Sequence, residues 1–412
     1  MIAMSQTHTA ATTAISCTHC GNNPVSHFLA RVGTSTSIVL DPISQSFFRT
    51  WIGNFFVVFT EGMLSAVTKM FLLLRIAKFD ADNIDDVSDR GKVLIMEARA
   101  RGWYMATLRI SGKAADQFKI VTTNGAEHIF TGLPRKGGSA DILIGWIDDK
   151  AVLKEFLTSS GIAVSKGGSF TKWEDAERYF DAVSKPLIVK PRLGSRGRHT
   201  TTHIKTKEDL KKAFAIAKQL GHFVIIEEHL VGSVYRGTVI DGVLAGVLAG
   251  DPPRITGDGQ QSISELIKRK NQSRHKLVAE VKYTTELDTF LKRLGYTLNT
   301  VLAANVTIDL SEKIGLSYGG NAREVTPLVH PKLRSELERA AKAINDPFLG
   351  FDFITTDVST DPDTIKWGII ECNTVPFINL HHDPLEGEPV NVAKLVLDYF
   401  ERSLVPSRGK VK

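Results

Sequence analysis

Two apolar runs near the C-terminal end carry acidic and amide side chains inside stretches that otherwise read as strand interior. They are Gly350-Phe351-Asp352-Phe353-Ile354 and Ile369-Ile370-Glu371-Cys372-Asn373-Thr374-Val375-Pro376. Alternate residues of a strand point to one face, so Glu371 and Asn373 present a carboxylate and an amide oxygen side by side. Asp352 adds a second carboxylate if its run lies next to the first. Three hard oxygen donors suit Mg²⁺ carried by nucleotide phosphates. Acidic residues in apolar strands also occur simply as strand-end markers, and the pattern alone leaves both readings open. Cys372 alternates away from Glu371 and Asn373 and reads as a buried apolar residue rather than a nucleophile.

A second segment shifts the balance. Val189-Lys190-Pro191-Arg192-Leu193-Gly194-Ser195-Arg196-Gly197-Arg198 places a lysine at a strand end, then a short loop with two glycines and three arginines. Glycines let backbone N–H groups approach a phosphate closely, and the cations neutralise it. The loop does not follow Gly-x-x-x-x-Gly-Lys-Ser/Thr, and that motif occurs nowhere in the chain. A basic surface turn would have the same composition.

Length and charge set outer bounds. The 412 residues suffice for two or three domains with full cores, and 42% hydrophobic with 23% charged residues is ordinary for a globular protein. A net charge of +6 and a pI near 9.0 fit a polyanionic ligand or an acidic substrate. The basic residues are dispersed and no recognition helix or aromatic platform appears, so nucleic acid is not expected. Trp103, Trp146, Trp173 and Trp367 read as core packing, and Lys205 to Lys212 as a solvated helix start.

The three cysteines are Cys17, Cys20 and Cys372. Cys17-Thr18-His19-Cys20 has a knuckle-like spacing with His27 nearby, but no second Cys/His pair follows at zinc-finger distance. The expectation is a mobile N-terminal tail in a reducing compartment. Trp51 to Ile76 is apolar but broken by Asn54, Glu61, Lys69 and Arg75, so a buried helix or helix pair is expected rather than a membrane span. An interfacial amphipathic helix is the weaker alternative. No secretory signal of the usual layout is present, and the expectation is a cytoplasmic protein.

Along the chain, residues 1–45 read as a loosely ordered lead-in and 46–147 as a small α/β unit. That unit has a helix within Asp85 to Gly102, a strand from Trp103 to Ile110 and a hairpin around Asn124-Gly125. Gly137-Gly138-Ser139 is turn material. A second unit opens at Asp148-Asp149, which caps a helix from Lys150 to Ser160. Strands follow at 187–190, 199–204 and 223–227, with a helix at 207–220, a hairpin turning at Asp241-Gly242, and charged helical pattern over 262–295. Strands at 306–310, 351–355 and 368–372 and a helix at 331–344 complete an α+β reading with a central antiparallel sheet.

In this order, a Lys-Pro strand, a glycine loop, the Glu-rich run Val224-Ile225-Ile226-Glu227-Glu228-His229-Leu230-Val231-Gly232 and a terminal Glu-x-Asn, the sequence resembles the ATP-grasp superfamily. The nearer resemblance is to the ATP-grasp module of cyanophycin synthetase and bifunctional glutathione synthetases. Asp251 to Gly259 with Ile263-Ser264-Glu265-Leu266-Ile267, Leu316 to Pro331, and Glu371 to Gly387 carry it. It covers about residues 148–400. It implies an N-terminal pre-ATP-grasp domain, an ATP-grasp domain over 148–405 with a lid subdomain at about 185–235, and ATP with Mg²⁺ as cofactors. Lys150 and Lys190 would contact phosphates or the adenine edge, and Gly194, Ser195, Arg196 and Gly197 would cover the β- and γ-phosphates. Glu227, Glu228 and Leu230 would hold adenine. Asp352, Glu371 and Asn373 would hold the metal, and Arg236 would stabilise the transferring phosphoryl group.

Departures accompany the match. Val234 stands where an acidic residue is usual, and Lys313 and Gly315 stand where asparagines are. Ala249-Gly250 replaces a basic pair, so Arg254 or Arg323 would have to supply the missing cation. The chain also shows no second, Mur-ligase-like module and is not expected to perform a second ligation by itself. The resulting expectation is an ATP-dependent carboxylate–amine ligase acting on an amino acid or short peptide, with no nucleic-acid or membrane partner and a homo-oligomer allowed. A catalytically silent ATP-binding regulator and a small-molecule kinase are the alternatives. His381-His382-Asp383-Pro384 reads either as a substrate-side element or as a hydrogen-bonded loop.

Overall fold

The computed structural model describes residues 17–20, 24–34, 36, 68, 70–135, 145–194 and 197–404. Much of the lead-in, most of Trp51 to Ile76, the Gly137-Gly138-Ser139 turn, Ser195 and Arg196 lie outside the described residues. No helix among the described residues is long and apolar enough to cross a membrane.

The centre is a five-stranded antiparallel sheet of order β13-β10-β9-β14-β15, with β9 at Ser233–Ile240, β10 at Val243–Asp251, β13 at Asn321–Glu324, β14 at Phe348–Thr355 and β15 at Gly368–Asn373. β9 and β10 form the expected hairpin. Asp241 and Gly242 turn it at φ 51° and 76°, the left-handed pair that a two-residue hairpin loop needs.

The period of two divides this sheet into two faces. Tyr235, Val239, Phe351, Phe353, Ile369 and Cys372 enter one core with Leu333, Leu337 and Ala341 of helix Pro331–Ile344 and Leu153 and Leu157 of helix Lys150–Ser159. On the other face Ile240 and Phe348 meet Val396, Leu397 and Phe400 of helix Val392–Leu404. That second core also takes in Leu94, Ile95 and Ala98 of helix Asp89–Ala100, with Met105, Phe118 and Ile120. The latter three belong to an antiparallel meander of β1 (Ala77–Asp80), β2 (Tyr104–Ile110), β3 (Lys113–Val121) and β4 (Glu127–Thr131). The N-terminal unit is thereby cemented to the back of the central sheet.

A smaller sheet of order β5-β8-β6-β7 comprises Gly167–Phe170, Val224–Glu228, Leu187–Pro191 and Thr201–Ile204 respectively. Helices Trp173–Ala182 and Lys207–Ala217 cover it through Phe180, Leu210, Ala213 and Phe214. A two-stranded ladder, β11 (Arg254–Thr256) with β12 (Thr307–Asp309), packs with helices Ile263–Ser273 and Thr285–Arg293 around Ile255, Ile263, Leu266, Leu287 and Leu291. The charged stretch read as helical is thus two helices. The first is closed by a reciprocal capping box between Ser262 and Glu265.

Phe351 is fully buried at the middle of β14. Replacing it by alanine leaves a cavity in the larger core and should cost about 3–5 kcal/mol. Urea unfolding of Phe351→Ala against the parent chain measures this.

Candidate active site

Across β14 every position is buried except Asp352. A strand that excludes water everywhere else opens at its one carboxylate. Asp352 lies opposite Arg236 of β9 on one side and opposite Glu371 of β15 on the other. Arg236 Nε and Nη2 donate to the two Asp352 oxygens at 2.7 and 2.8 Å. The Asp352 charge, against the cost of burial, holds the Arg236 guanidinium well above its ordinary value. Asn373 is half-buried on the same face as Glu371 and opposite Gly350. The three oxygen donors expected from alternation therefore share one face, but the Asp352 carboxylate is already satisfied by Arg236.

Facing this row is a cluster of lysines. Asp149 caps helix Lys150–Ser159 by accepting from the Ala151 and Val152 amides, and it is itself gripped by Arg192 Nε at 2.8 and 2.9 Å. That clamp ties the helix start to the end of β6. Lys150, nearly buried, donates to the Gly194 carbonyl at 2.5 Å and lies 3.7 Å from Glu371 Oε2. It therefore bridges the glycine loop and β15. One helical turn on, Lys154 donates to Ser165 Oγ at 2.6 Å and to Glu227. Lys190 donates to the other Glu227 oxygen at 2.5 Å.

Three ammonium groups here face two carboxylates, Glu227 and Glu371, and burial makes the surplus costly. Burial first, and the Lys150 charge second, pull Lys190 down to about 7, with Glu371 opposing. Lys154 is likewise pulled well below its ordinary value by burial and by Lys190 and Lys150. A desolvated surplus of positive charge is what a polyanion would neutralise.

The remaining expected residues are placed as follows. Glu227 is turned inward and fully buried between its two lysines, so its side chain serves the lysines. Glu228 accepts from the Lys166 amide at 2.9 Å and from Lys366, and Leu230 is buried. Gly194 and Gly197 take φ of 117° and 59°, while Ser195 and Arg196 fall outside the described residues. Arg323 grips Asp251 at 2.6 and 3.2 Å. Arg254 lies 2.6 Å from Asp309 and 3.8 Å from Asp251.

The Ala249-Gly250 departure has a packing basis. Ala249 is fully buried in the larger core, and a Cβ on Gly250 would lie 2.4 Å from Ile314 Cδ1. Position 249 has no room for a lysine or arginine in this core, whereas Gly250 lies on the Arg236 face beneath the tip of the Ile314 side chain. Arg323 is the cross-strand partner of Ala249.

His381 is the hydrogen-bonded residue of the two readings. It is fully buried, with Nδ1 2.6 Å from Glu324 Oε2 and Nε2 2.7 Å from Thr238 Oγ1. His382 Nε2 accepts from the Ala393 amide at 3.0 Å. Cys372 and the tryptophans pack as expected: Cys372 is fully buried, and burial pushes its thiol well up. Lys154 was missed by sequence reasoning. Its signal was present, since i and i+4 share a helix face and place it behind Lys150.

Comparison with known proteins relates the chain to ligases in sequence and fold. No family model matches the chain. Over 270 residues it is 33% identical to cyanophycin synthetase of Synechocystis, covering 63% of this chain and 31% of that protein. Over 261 residues it is 27% identical to the glutathione biosynthesis bifunctional protein GshAB of Clostridium perfringens, covering 61% and 34%. The crystal structure of a bifunctional glutathione synthetase from Pasteurella multocida superposes with a TM-score of 0.55 at 22% identity, over 76% of this chain and 44% of that one. The chain is similar to these ligases in sequence and shares the fold of the glutathione synthetase. It spans only about a third of the length of the curated relatives it matches, and the α+β architecture is the shared part.

Glu227 is the shared acceptor of two buried ammonium groups. Glu227→Ala should destabilise the chain by about 3–5 kcal/mol, because the lysines are left buried and unpaired. Denaturant unfolding tests this, and a loss below about 1 kcal/mol would show that Glu227 is not what balances them.

Proposed function

We propose that the chain is an ATP-dependent carboxylate–amine ligase acting on an amino acid or short peptide. The observation that carries the reading is the buried cationic surplus of Lys150, Lys154 and Lys190 set beside the Arg236, Asp352, Glu371 and Asn373 face. Similarity to cyanophycin synthetase and GshAB supports it.

In this reading the phosphates of ATP enter between the Gly194–Gly197 loop and β15, where Lys150 and Lys190 neutralise them. Glu227 to Leu230 lie at the adenine end. Asp352, Glu371 and Asn373 fit Mg²⁺ in donor chemistry, being hard oxygens on one open face. They would hold the ion there, and it would supply charge neutralisation at the β- and γ-phosphates. Arg236, fixed by Asp352, is directed at the same face and serves the charge that develops on the phosphoryl group in transfer. The γ-phosphoryl passes to a carboxylate oxygen and ADP leaves. The amine nitrogen then attacks the acyl carbon, phosphate leaves and an amide forms. The protein contributes positioning and electrostatics.

The bidentate grip of Arg236 on Asp352 is the observation that favours a silent ATP-binding protein, since it engages one proposed metal ligand. Substrate chemistry separates the readings. A ligase should release ADP only when a carboxylate is supplied, and hydroxylamine should trap the acyl phosphate as a hydroxamate. Glu371→Ala should abolish both while the chain stays folded. A kinase would give a stable phosphorylated product from a hydroxyl substrate. Background ADP release with every amino acid and dipeptide tested, despite ATP binding, would sink the ligase reading.

The Lys190 environment adds a pH signature. Its ordinary value is 10.5 and its folded value about 7, so around pH 8.5 it is largely neutral without ligand. Phosphate oxygens beside it favour the ammonium, so ATP binding should take up a proton there, approaching about one per chain. Near pH 6 the group is already charged and uptake should vanish. Lys154 shifts in the same direction and adds to the same sign. Calorimetry in buffers of different ionisation enthalpy measures the uptake, and a pH-independent value would remove Lys190 from the phosphate site.

A further inference from the structure

The cysteine pair near the N-terminus does not stand alone. Cys17, Cys20, His27 and His199 come together with one ligand atom each within 4.8 Å of the others. His199 arrives from the far end of the glycine loop, a sequence separation of 179 from Cys20. The second Cys/His pair that the sequence seemed to lack is therefore made of His27 and a residue from another part of the fold. Cys17, Cys20 and His27, from the stretch read in sequence as a mobile tail, are thereby placed beside His199.

The geometry is that of a tetrahedral ion site. Cys17 Sγ lies 3.6 Å from His199 Nε2, Cys20 Sγ lies 3.4 Å from the same nitrogen, and Cys20 Sγ lies 3.4 Å from His27 Nε2. Zn–S bonds of about 2.3 Å and Zn–N bonds of about 2.0–2.1 Å at tetrahedral angles give an S···N edge of about 3.5 Å. Three of the six ligand–ligand distances, at 3.4, 3.4 and 3.6 Å, match that edge, and all four ligand atoms lie within 4.8 Å of one another. Two soft thiolates with two imidazoles select Zn²⁺ over hard cations.

The surroundings orient the ligands. His199 Nδ1 lies 2.8 Å from the Ile216 carbonyl oxygen. A carbonyl only accepts, so Nδ1 carries the hydrogen and Nε2 presents its lone pair toward the sulfurs. Cys20 and His199 are both 1% exposed, and the His199 amide donates to the His19 carbonyl at 3.0 Å. His199 itself takes a φ of 52°, a left-handed conformation held here by contacts on both sides.

We propose that Cys17, Cys20, His27 and His199 bind a structural Zn²⁺ ion that ties the N-terminal segment to the chain immediately beyond the Gly194–Gly197 loop. Binding removes one proton from each thiol and leaves both imidazoles neutral, so the site closes with no net charge. One end of the loop is then fixed by Zn²⁺ at His199. The other is fixed by Lys150 on the Gly194 carbonyl.

The test uses the full chain purified from zinc-supplemented cells. Elemental analysis should find about one Zn²⁺ per chain, and Cys17→Ser with Cys20→Ser should lose it. His199→Gln should weaken Zn²⁺ retention against a competing chelator by more than ~10-fold. Co²⁺ added to chelator-stripped parent chain should give the intense ligand-field bands of a tetrahedral thiolate site, a readout that needs no variant to fold. Hydrogen exchange at residues 197–204 should accelerate when the metal is stripped. Absence of both bound metal and Co²⁺ bands, or a Cys17–Cys20 disulfide in their place, overturns the site. Unchanged Zn²⁺ affinity in His199→Gln overturns the tie to the loop.

Discussion

The arrangement depends on the buried lysine–glutamate set at the junction of helix Lys150–Ser159, the small sheet and β15. Glu227 lies on β8, Lys190 on β6, Lys150 and Lys154 on the helix, and Glu371 on β15, so five ionisable groups on four elements share one junction, buried at Glu227 and opening at Glu371. A buried ion pair adds little net stability over apolar packing, yet removing one partner is expensive. The set therefore acts as a specifier of position. The small sheet cannot slide relative to the helix without separating Glu227 from an ammonium group. The Asp149–Arg192 clamp enforces the same register one turn away.

A second polar network braces the central sheet on the face that carries Arg236. Glu324 of β13 accepts from His381 and Thr326, and His381 also meets Thr238 of β9, so two strands and the segment after β15 are pinned together. Burial pushes the Glu324 carboxyl up, yet the hydrogen bonds and charge of His381, with those from Thr326, outweigh it and leave the carboxyl below its ordinary value. Every member is hydrogen-bonded, the condition under which such a network rigidifies a core rather than weakening it. Arg236 stands on the same strand face as Thr238, so the network fixes the strand that carries the arginine.

Local pattern in the sequence was enough to locate most elements. The period of two placed Glu371 and Asn373 on one face and Cys372 on the other, and the pairing of β14 with β15 brings Asp352 to the first. Helix Pro331–Ile344, the Asp241-Gly242 hairpin and the Asp149 cap follow from periodicity, turn chemistry and capping that act over a few residues. What remained hidden requires distance. Asp352 reads as a metal ligand in one dimension and finds Arg236, 116 residues away, in three. Glu227 reads as a hinge carboxylate and turns inward to lysines 73 and 37 residues off. Cys20 has one near partner, His27, but its other, His199, sits beyond any motif window.

The same distinction bears on how the departures from related ligases are read. Loss of a basic pair at Ala249-Gly250 looks, in sequence, like decay of a phosphate site. In the fold, position 249 faces the larger core, so a cation there would meet apolar packing, while position 250 lies on the Arg236 face under the Ile314 side chain. The loss at position 249 can follow a change in how this edge of the sheet packs, and only position 250 bears on the charge of the site face. Charge on the site face is set by Lys150, Lys154, Lys190 and Arg236, and all four are present and hydrogen-bonded. An inactive descendant would be under no pressure to retain a desolvated cationic surplus, which costs free energy for as long as no anion neutralises it. Under the function proposed above, a polyanion at this face would neutralise the surplus that burial makes costly.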